Sequence, residues 1–248
     1  MKTISVVYYG IYSLMLLFVI IYFIIVFKDE DYKLGAFDYI HARLDNKCHD
    51  IKITDKETIN TLYDIMKNFD EVANKEKLPY IACAGTLLGA IRHGKIIPWD
   101  DDLDVIVDVN DMDHLTSVVF PLLYERGFSI ERGVMTNNYR LLKSGSKYPY
   151  MDVFFYKKRG KYYIPKSDYY GLMYPKEKKL PLNMIFPLKR YKLGDIQISS
   201  VAKPREYLKK IYSPKVFDEI AGTFFDHSTF KSYKLCTKKI DDVDPKYM

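Results

Sequence analysis

Gly85 to Val107 reads GTLLGAIRHGKIIPWDDDLDVIV. The alternation from Leu103 to Asp108 predicts a strand. Residues two apart in a strand share a face, so Asp102 and Asp104 project together while Leu103 and Val105 turn to a core. Two adjacent carboxylates repel one another, and a divalent cation removes the repulsion. Mg²⁺ and Mn²⁺ take oxygen ligands and leave positions for water and phosphate oxygens, so the pair points to metal-dependent phosphate chemistry. Asp100 and Asp101, at the strand entry, read as a solvated turn.

Upstream, Tyr80–Cys83 reads as a short buried strand broken by Gly85-Thr86, and Leu87–Arg92 as a short helix ended by Gly94. Glycine permits close backbone approach, and a helix start offers N–H groups to a phosphate. The plainer reading of the pair is a tight turn capped by threonine. Arg92 is expected to hold phosphates, with a solvated basic loop as the equal alternative. His93 and Lys95 read as that loop, and Arg140, Lys143 and Lys147 as a solvated face.

Downstream, Met151-Asp152-Val153-Phe154-Phe155 sends a third acid into an apolar strand. If that strand neighbours the first, Asp152 joins Asp102 and Asp104 in a three-carboxylate, two-metal site, as ligand or as base. GT, then the Asp102/Asp104 pair, then an acid in an apolar strand is the sequence order of the nucleotidyltransferase (polymerase-β-like) fold. Around this core, Thr54-Asp55-Lys56-Glu57 reads as a capping box. It opens a helix with Ile59, Leu62, Met66, Phe69 and Val72/Ala73 on one face, which must stop before Pro79. Asp111–Tyr124 and Pro204–Tyr212 read as helices. Phe128–Glu131, Tyr139–Lys143, Tyr150–Tyr156 and Lys161–Ile164 read as strands, and Gly194-Asp195 as a hairpin turn. The class is α/β (α+β) with a mixed sheet.

The chain has 248 residues, 48% hydrophobic and 28% charged, which excludes intrinsic disorder for most of its length and suits one domain plus an appendage. A net charge of +6 is too small to argue for nucleic acid, and none is expected as a partner. The three cysteines form no CxxC pair, which argues against a structural zinc site and a disulfide framework. Cys48 and Cys236 are the pair that an oxidising lumen could join, and Cys83 reads as buried filler. Val6 to Phe27 is 22 residues without a charge, long enough as a helix, ~33 Å, to cross a bilayer. We therefore expect a membrane anchor over 1–27, a linker over 28–52 and a catalytic domain over 53–248. Lys2 leans the orientation to N-in, C-out, hence endoplasmic reticulum or Golgi in a eukaryote.

The run from Gly85 to Val107 closely resembles the LicD family, which includes fukutin and fukutin-related protein. The resemblance continues through YMDVFFY and through the stretch from Met184 to Tyr212. It implies a nucleotidyltransferase fold and transfer of a phospho-alcohol, such as phosphocholine or ribitol phosphate, from a CDP-linked donor to a glycan acceptor. It carries a metal role (Mg²⁺ or Mn²⁺) onto Asp102, Asp104 and Asp152, and a phosphate role onto Gly85 and Thr86. Arg92 and Trp99 match the motif. The competing readings are a DxD-type glycosyltransferase using a nucleotide sugar, and an inactive, membrane-anchored glycan-binding protein.

Overall fold

The structure, a computed structural model, describes residues 48–133, 138–229 and 231–243. The apolar run 6–27 and most of the expected linker lie outside these. Among the described residues no helix is long and apolar enough to cross a membrane.

Helix α1 (Lys56–Lys75) buries Leu62, Ile65, Met66, Phe69, Val72 and Ala73 as a stripe of helical period. Its cap differs from the expected box. Asp55 holds the N-cap and accepts from the Thr58 N–H at 2.9 Å and the Thr58 hydroxyl at 2.7 Å. Thr54 instead donates its own N–H to the Pro98 carbonyl. A carboxylate caps as well as a hydroxyl, so the start moves by one residue.

After β1 (Ile81–Ala82), α2 (Ala84–Leu88) runs into a π-helical turn (Gly89–His93) that Gly94 ends in the left-handed region. A Cβ on Gly89 would lie 2.6 Å from the Lys95 carbonyl oxygen, so only glycine lets the following loop fold back here. Strand β2 (Leu103–Asp108) leads to α3 (Met112–His114), which passes through a second π-helical turn (Leu115–Val119) into α4 (Phe120–Glu125). Then come β3 (Phe128–Arg132), β4 (Tyr139–Lys143), the long β5 (Tyr150–Arg159), β6 (Tyr162–Pro165), α5 (Asp168–Met173), β7 (Leu180–Pro181) and α6 (Leu182–Ile185). The chain closes with hairpin β8 (Lys189–Leu193) and β9 (Ile196–Ser200), α7 (Pro204–Ile211), and hairpin β10 (Glu219–Asp226) and β11 (Lys231–Lys239).

The main sheet runs β1-β2-β5-β4-β3, with β6 beside the far half of β5 and β7 beside β6. β2 and β5 are parallel and the other pairs antiparallel, so the sheet is mixed. Leu103, Val105 and Val107 enter one core with the stripe of α1, together with Met151 and Val153. Ile106 faces the opposite core, which holds Trp99, Tyr156, Tyr163 and Tyr207. The β8–β9 hairpin is pinned from both ends. Arg190 pairs with both Asp70 oxygens at 2.5 and 2.6 Å, Tyr80 donates to Asp70, and the Ser200 hydroxyl donates to the Ala82 carbonyl at 2.5 Å.

Cys48 and Cys236, the pair that an oxidising lumen could join, form a disulfide, a single bridge and not a framework among the described residues. His49 pairs with Leu235 on β11, so the end of the expected linker is docked on the domain. Cys83 is fully buried and free.

Candidate active site

The register of two parallel strands builds the site. Asp104 on β2 stands opposite Asp152 on β5, and Leu103 and Val105 stand opposite Met151 and Val153. The apolar residues take one face into the core, which leaves the acids to the other. Ligand oxygens of Asp102, Asp104 and Asp152 all lie within 4.8 Å of one another. Burial pushes the Asp104 carboxyl well above its usual range, and the charges of Asp102 and Asp152 push it further. Burial likewise raises Asp102, to about 6, against the opposing charge of His227. Asp152 is raised by burial in spite of Arg140. Carboxylates so arranged resist ionisation in the absence of added positive charge.

β4 supplies partners for the third acid. Arg140 stands opposite Asp152 in register. Asp152 Oδ1 accepts from Asn138 Nδ2 at 2.6 Å and from Arg140 Nε at 3.3 Å. The Arg140 guanidinium also lies over the Tyr150 ring, 4.4 Å from its centroid. Arg140 therefore belongs to the site rather than to the solvated face expected for it. Lys143 does lie outward, on Asp64.

Asp100 and Asp101 do not form a solvated turn. Asp101 is 3% exposed and accepts from the His227 N–H at 2.8 Å, from His227 Nδ1 at 2.7 Å and from the Tyr148 hydroxyl at 3.2 Å. The Asp100 carboxylate packs on Gly85, where a Cβ would lie 2.3 Å from Oδ2. Burial first, then the charges of Asp102 and Asp101, push its carboxyl well above the usual range.

Gly85 and Thr86 sit in the first turn of α2, preceded by Ala84 at φ +43°, a left-handed conformation that a β-carbon disfavours. The Thr86 hydroxyl accepts from the Asp104 N–H at 2.8 Å, which ties the turn to the acidic strand. Arg92 bonds His93 Nε2 at 2.9 Å and the Val216 carbonyl at 3.0 Å, and lies over Trp99. Burial brings its pKa down to about 10, against the charge of Asp100 among others. It thus joins the motif to the segment after α7. His93 is half-buried and packs edge-on against Trp99, and burial and then Arg92 bring its pKa down to about 3, so it is neutral rather than a basic-loop cation.

Sequence reasoning missed Asn138 on Asp152 and, further off in the chain, His227, at the turn between β10 and β11. Its Nε2 is 3.2 Å from Asp102 Oδ2. Burial alone would lower the imidazole, but the charge of Asp102 and the bond to Asp101 outweigh it and lift the pKa to about 9. Nothing in the local sequence Phe225-Asp226-His227-Ser228 marks a site. By contrast, Arg140 could have been found, because it alternates in β4 against the apolar Leu141.

With this geometry in view, the comparisons with known proteins are specific. The profile described as LicD/FKTN/FKRP, nucleotidyltransferase domain, matches residues 77–200, half of the chain. The chain belongs to the LicD family. The matched region contains the acidic strand, its parallel neighbour and the β8–β9 hairpin. An uncharacterized protein of Rickettsia prowazekii is 29% identical over 191 residues, covering 74% of this chain and 65% of its own length. The lipopolysaccharide cholinephosphotransferase LicD of Haemophilus influenzae is 35% identical over 74 residues, 30% of this chain and 28% of that one. The human ribitol 5-phosphate transferase FKRP is 29% identical over 139 residues, 54% of this chain and 27% of that one. The chain thus spans under two thirds of the length of each of these relatives.

Proposed function

We propose that this LicD-family chain is a membrane-anchored phosphotransferase. It moves a phospho-alcohol, of the phosphocholine or ribitol/glycerol phosphate type, from a CDP-linked donor to a glycan hydroxyl. The observation that carries the reading is the juxtaposition of Asp102, Asp104 and Asp152 on adjacent parallel strands. The donor set fits Mg²⁺ or Mn²⁺, being three carboxylates with raised pKa values in one small space. Once bound, the cation would supply charge neutralisation at the donor diphosphate and alignment of the attacking oxygen.

The chain's own residues have the following duties. Asp102, Asp104 and Asp152 would hold the cation. Asn138 and Arg140 fix Asp152 through Oδ1. Gly85 makes room for the Asp100 carboxylate behind the turn, and Thr86, which accepts from Asp104 N–H, keeps its hydroxyl hydrogen for a phosphate oxygen. Arg92 contributes positive charge behind that turn. The acceptor oxygen attacks the distal phosphorus, the bond from that phosphorus to the bridging oxygen breaks, CMP departs and the acceptor proton passes to solvent. The activities of two relatives, the cholinephosphotransferase and the ribitol 5-phosphate transferase, support the donor class.

Residues 6–27 anchor the protein, with the catalytic domain on the far side of the membrane. The Cys48–Cys236 disulfide supports that side, because disulfides persist in oxidising compartments. The test is release of CMP from CDP-choline, CDP-ribitol and CDP-glycerol, beside UDP-sugars, with and without EDTA. We expect EDTA-sensitive CMP release from at least one CDP-alcohol. Turnover of UDP-sugars alone would make the chain a glycosyltransferase, and turnover of neither would make it a binding protein.

A further inference from the structure

His227 reaches the acidic site from a hairpin 75 residues beyond Asp152, and the proposed reaction gives it no duty. Its surroundings fix how it can act. A carboxylate only accepts hydrogen bonds, so the Nδ1 atom 2.7 Å from Asp101 carries its proton. Asp101 is itself held by the His227 N–H and the Tyr148 hydroxyl. Tyr150 and Phe225 pack edge-on against the ring, at 5.3 and 4.7 Å between centroids. The imidazole therefore has one orientation, and it aims Nε2 at Asp102 Oδ2, 3.2 Å away. That separation is an ion-pair contact while Nε2 keeps a proton, and it equally suits two neighbouring ligands of one cation, with bonds of about 2.1 Å, once a cation displaces that proton. A ring nitrogen held on a buried carboxylate while the other nitrogen faces a metal carboxylate is the usual outer-shell arrangement of a ligating histidine.

We propose that His227 Nε2 is a nitrogen ligand of the cation held by Asp102, with Asp101 as the residue that positions it. This rests on the metal-site reading above and adds to it. Asp102 belongs both to the group with Asp104 and Asp152 and to the group with Asp101 and His227, so the nitrogen enters at the edge of the oxygen set. The consequence is metal preference. Imidazole suits transition metals better than Mg²⁺, so the site should favour Mn²⁺. The β10–β11 hairpin, tied to Cys48 through Cys236, then becomes part of the binding site rather than an appendix to it.

The test is pulsed electron paramagnetic resonance on the detergent-solubilised full chain, ¹⁵N-labelled at its five histidines and loaded with Mn²⁺. The expected result is a directly coordinated nitrogen coupling that disappears in His227→Gln. Mn²⁺ affinity of that variant should fall at least about tenfold, with a much smaller change for Mg²⁺. Asp101→Asn should weaken the coupling and keep the fold. Mn²⁺ that binds, is lost in Asp104→Asn, yet shows no nitrogen coupling in the wild type would overturn the ligand assignment and leave the carboxylate site standing. Absence of any Mn²⁺ or Mg²⁺ binding would overturn both.

Discussion

Gly85 and Glu177 show how single positions carry the account. The Gly85 hydrogen faces Asp100 rather than open space. Gly85→Ala must displace that buried carboxylate, and we expect a loss of about 1–3 kcal/mol in urea unfolding with turnover reduced at least tenfold. The stability should return in Gly85→Ala/Asp100→Ala, and failure to return would place the strain elsewhere. Glu177, 6% exposed, accepts from Tyr156 and Tyr170 at 3.3 Å each. Burial lifts its pKa from 4.5 to about 7, and the two hydroxyls only partly oppose this. The folded state thus binds the proton more tightly than the unfolded chain. Its stability contribution is whole below pH 4.5 and is lost as pH rises through 7, up to about 3 kcal/mol. Glu177→Gln should therefore raise the melting temperature at pH 8 and barely move it at pH 4.5. A gain of equal size at both would contradict the buried charge. At this scale the acids on strands were legible, because period-two alternation fixes their face. Asp100, Asp101 and His227 were not, because their partners are brought by tertiary contacts with no local periodicity.

Among the elements, helix α1 and strands β2, β4 and β5 followed from their apolar spacing, and β4 agrees with the expected Tyr139–Lys143 at both ends. Two π-helical turns were unreadable, since a wider turn leaves the composition unchanged. So was the β10–β11 hairpin, whose register shifts between Ile220 and Gly222, with Gly222 at φ +118°. A bulge of this kind breaks the alternation on which a strand is recognised. That hairpin is held to the domain through Asp101–His227 at its tip and Cys48–Cys236 near its base. We expect Cys236→Ser to cost about 2–5 kcal/mol. Amides of β10 and β11 should lose hydrogen-exchange protection well before those of β2 and β5. Unchanged protection of the hairpin in the variant would show that its packing alone suffices.

For the molecule as a whole, one mixed sheet with helix α1 on one face forms the frame of the described residues, and Asp55 caps that helix. A chain beginning at Lys28 is expected to be soluble, with the circular dichroism of a folded α+β domain and turnover on a soluble acceptor. Aggregation with loss of that signal would make the apolar run part of the fold. The central claim, that three carboxylates hold the cation on which phospho-alcohol transfer depends, is met most directly by one titration. CMP release from the preferred CDP-alcohol is followed against Mn²⁺ concentration in wild type and Asp104→Asn, with folding checked by circular dichroism. The account predicts saturable activation in the wild type and, in the folded variant, turnover lower by at least about a thousandfold at every Mn²⁺ concentration. Turnover in Asp104→Asn within threefold of wild type, or wild-type turnover indifferent to Mn²⁺ and Mg²⁺, would contradict it.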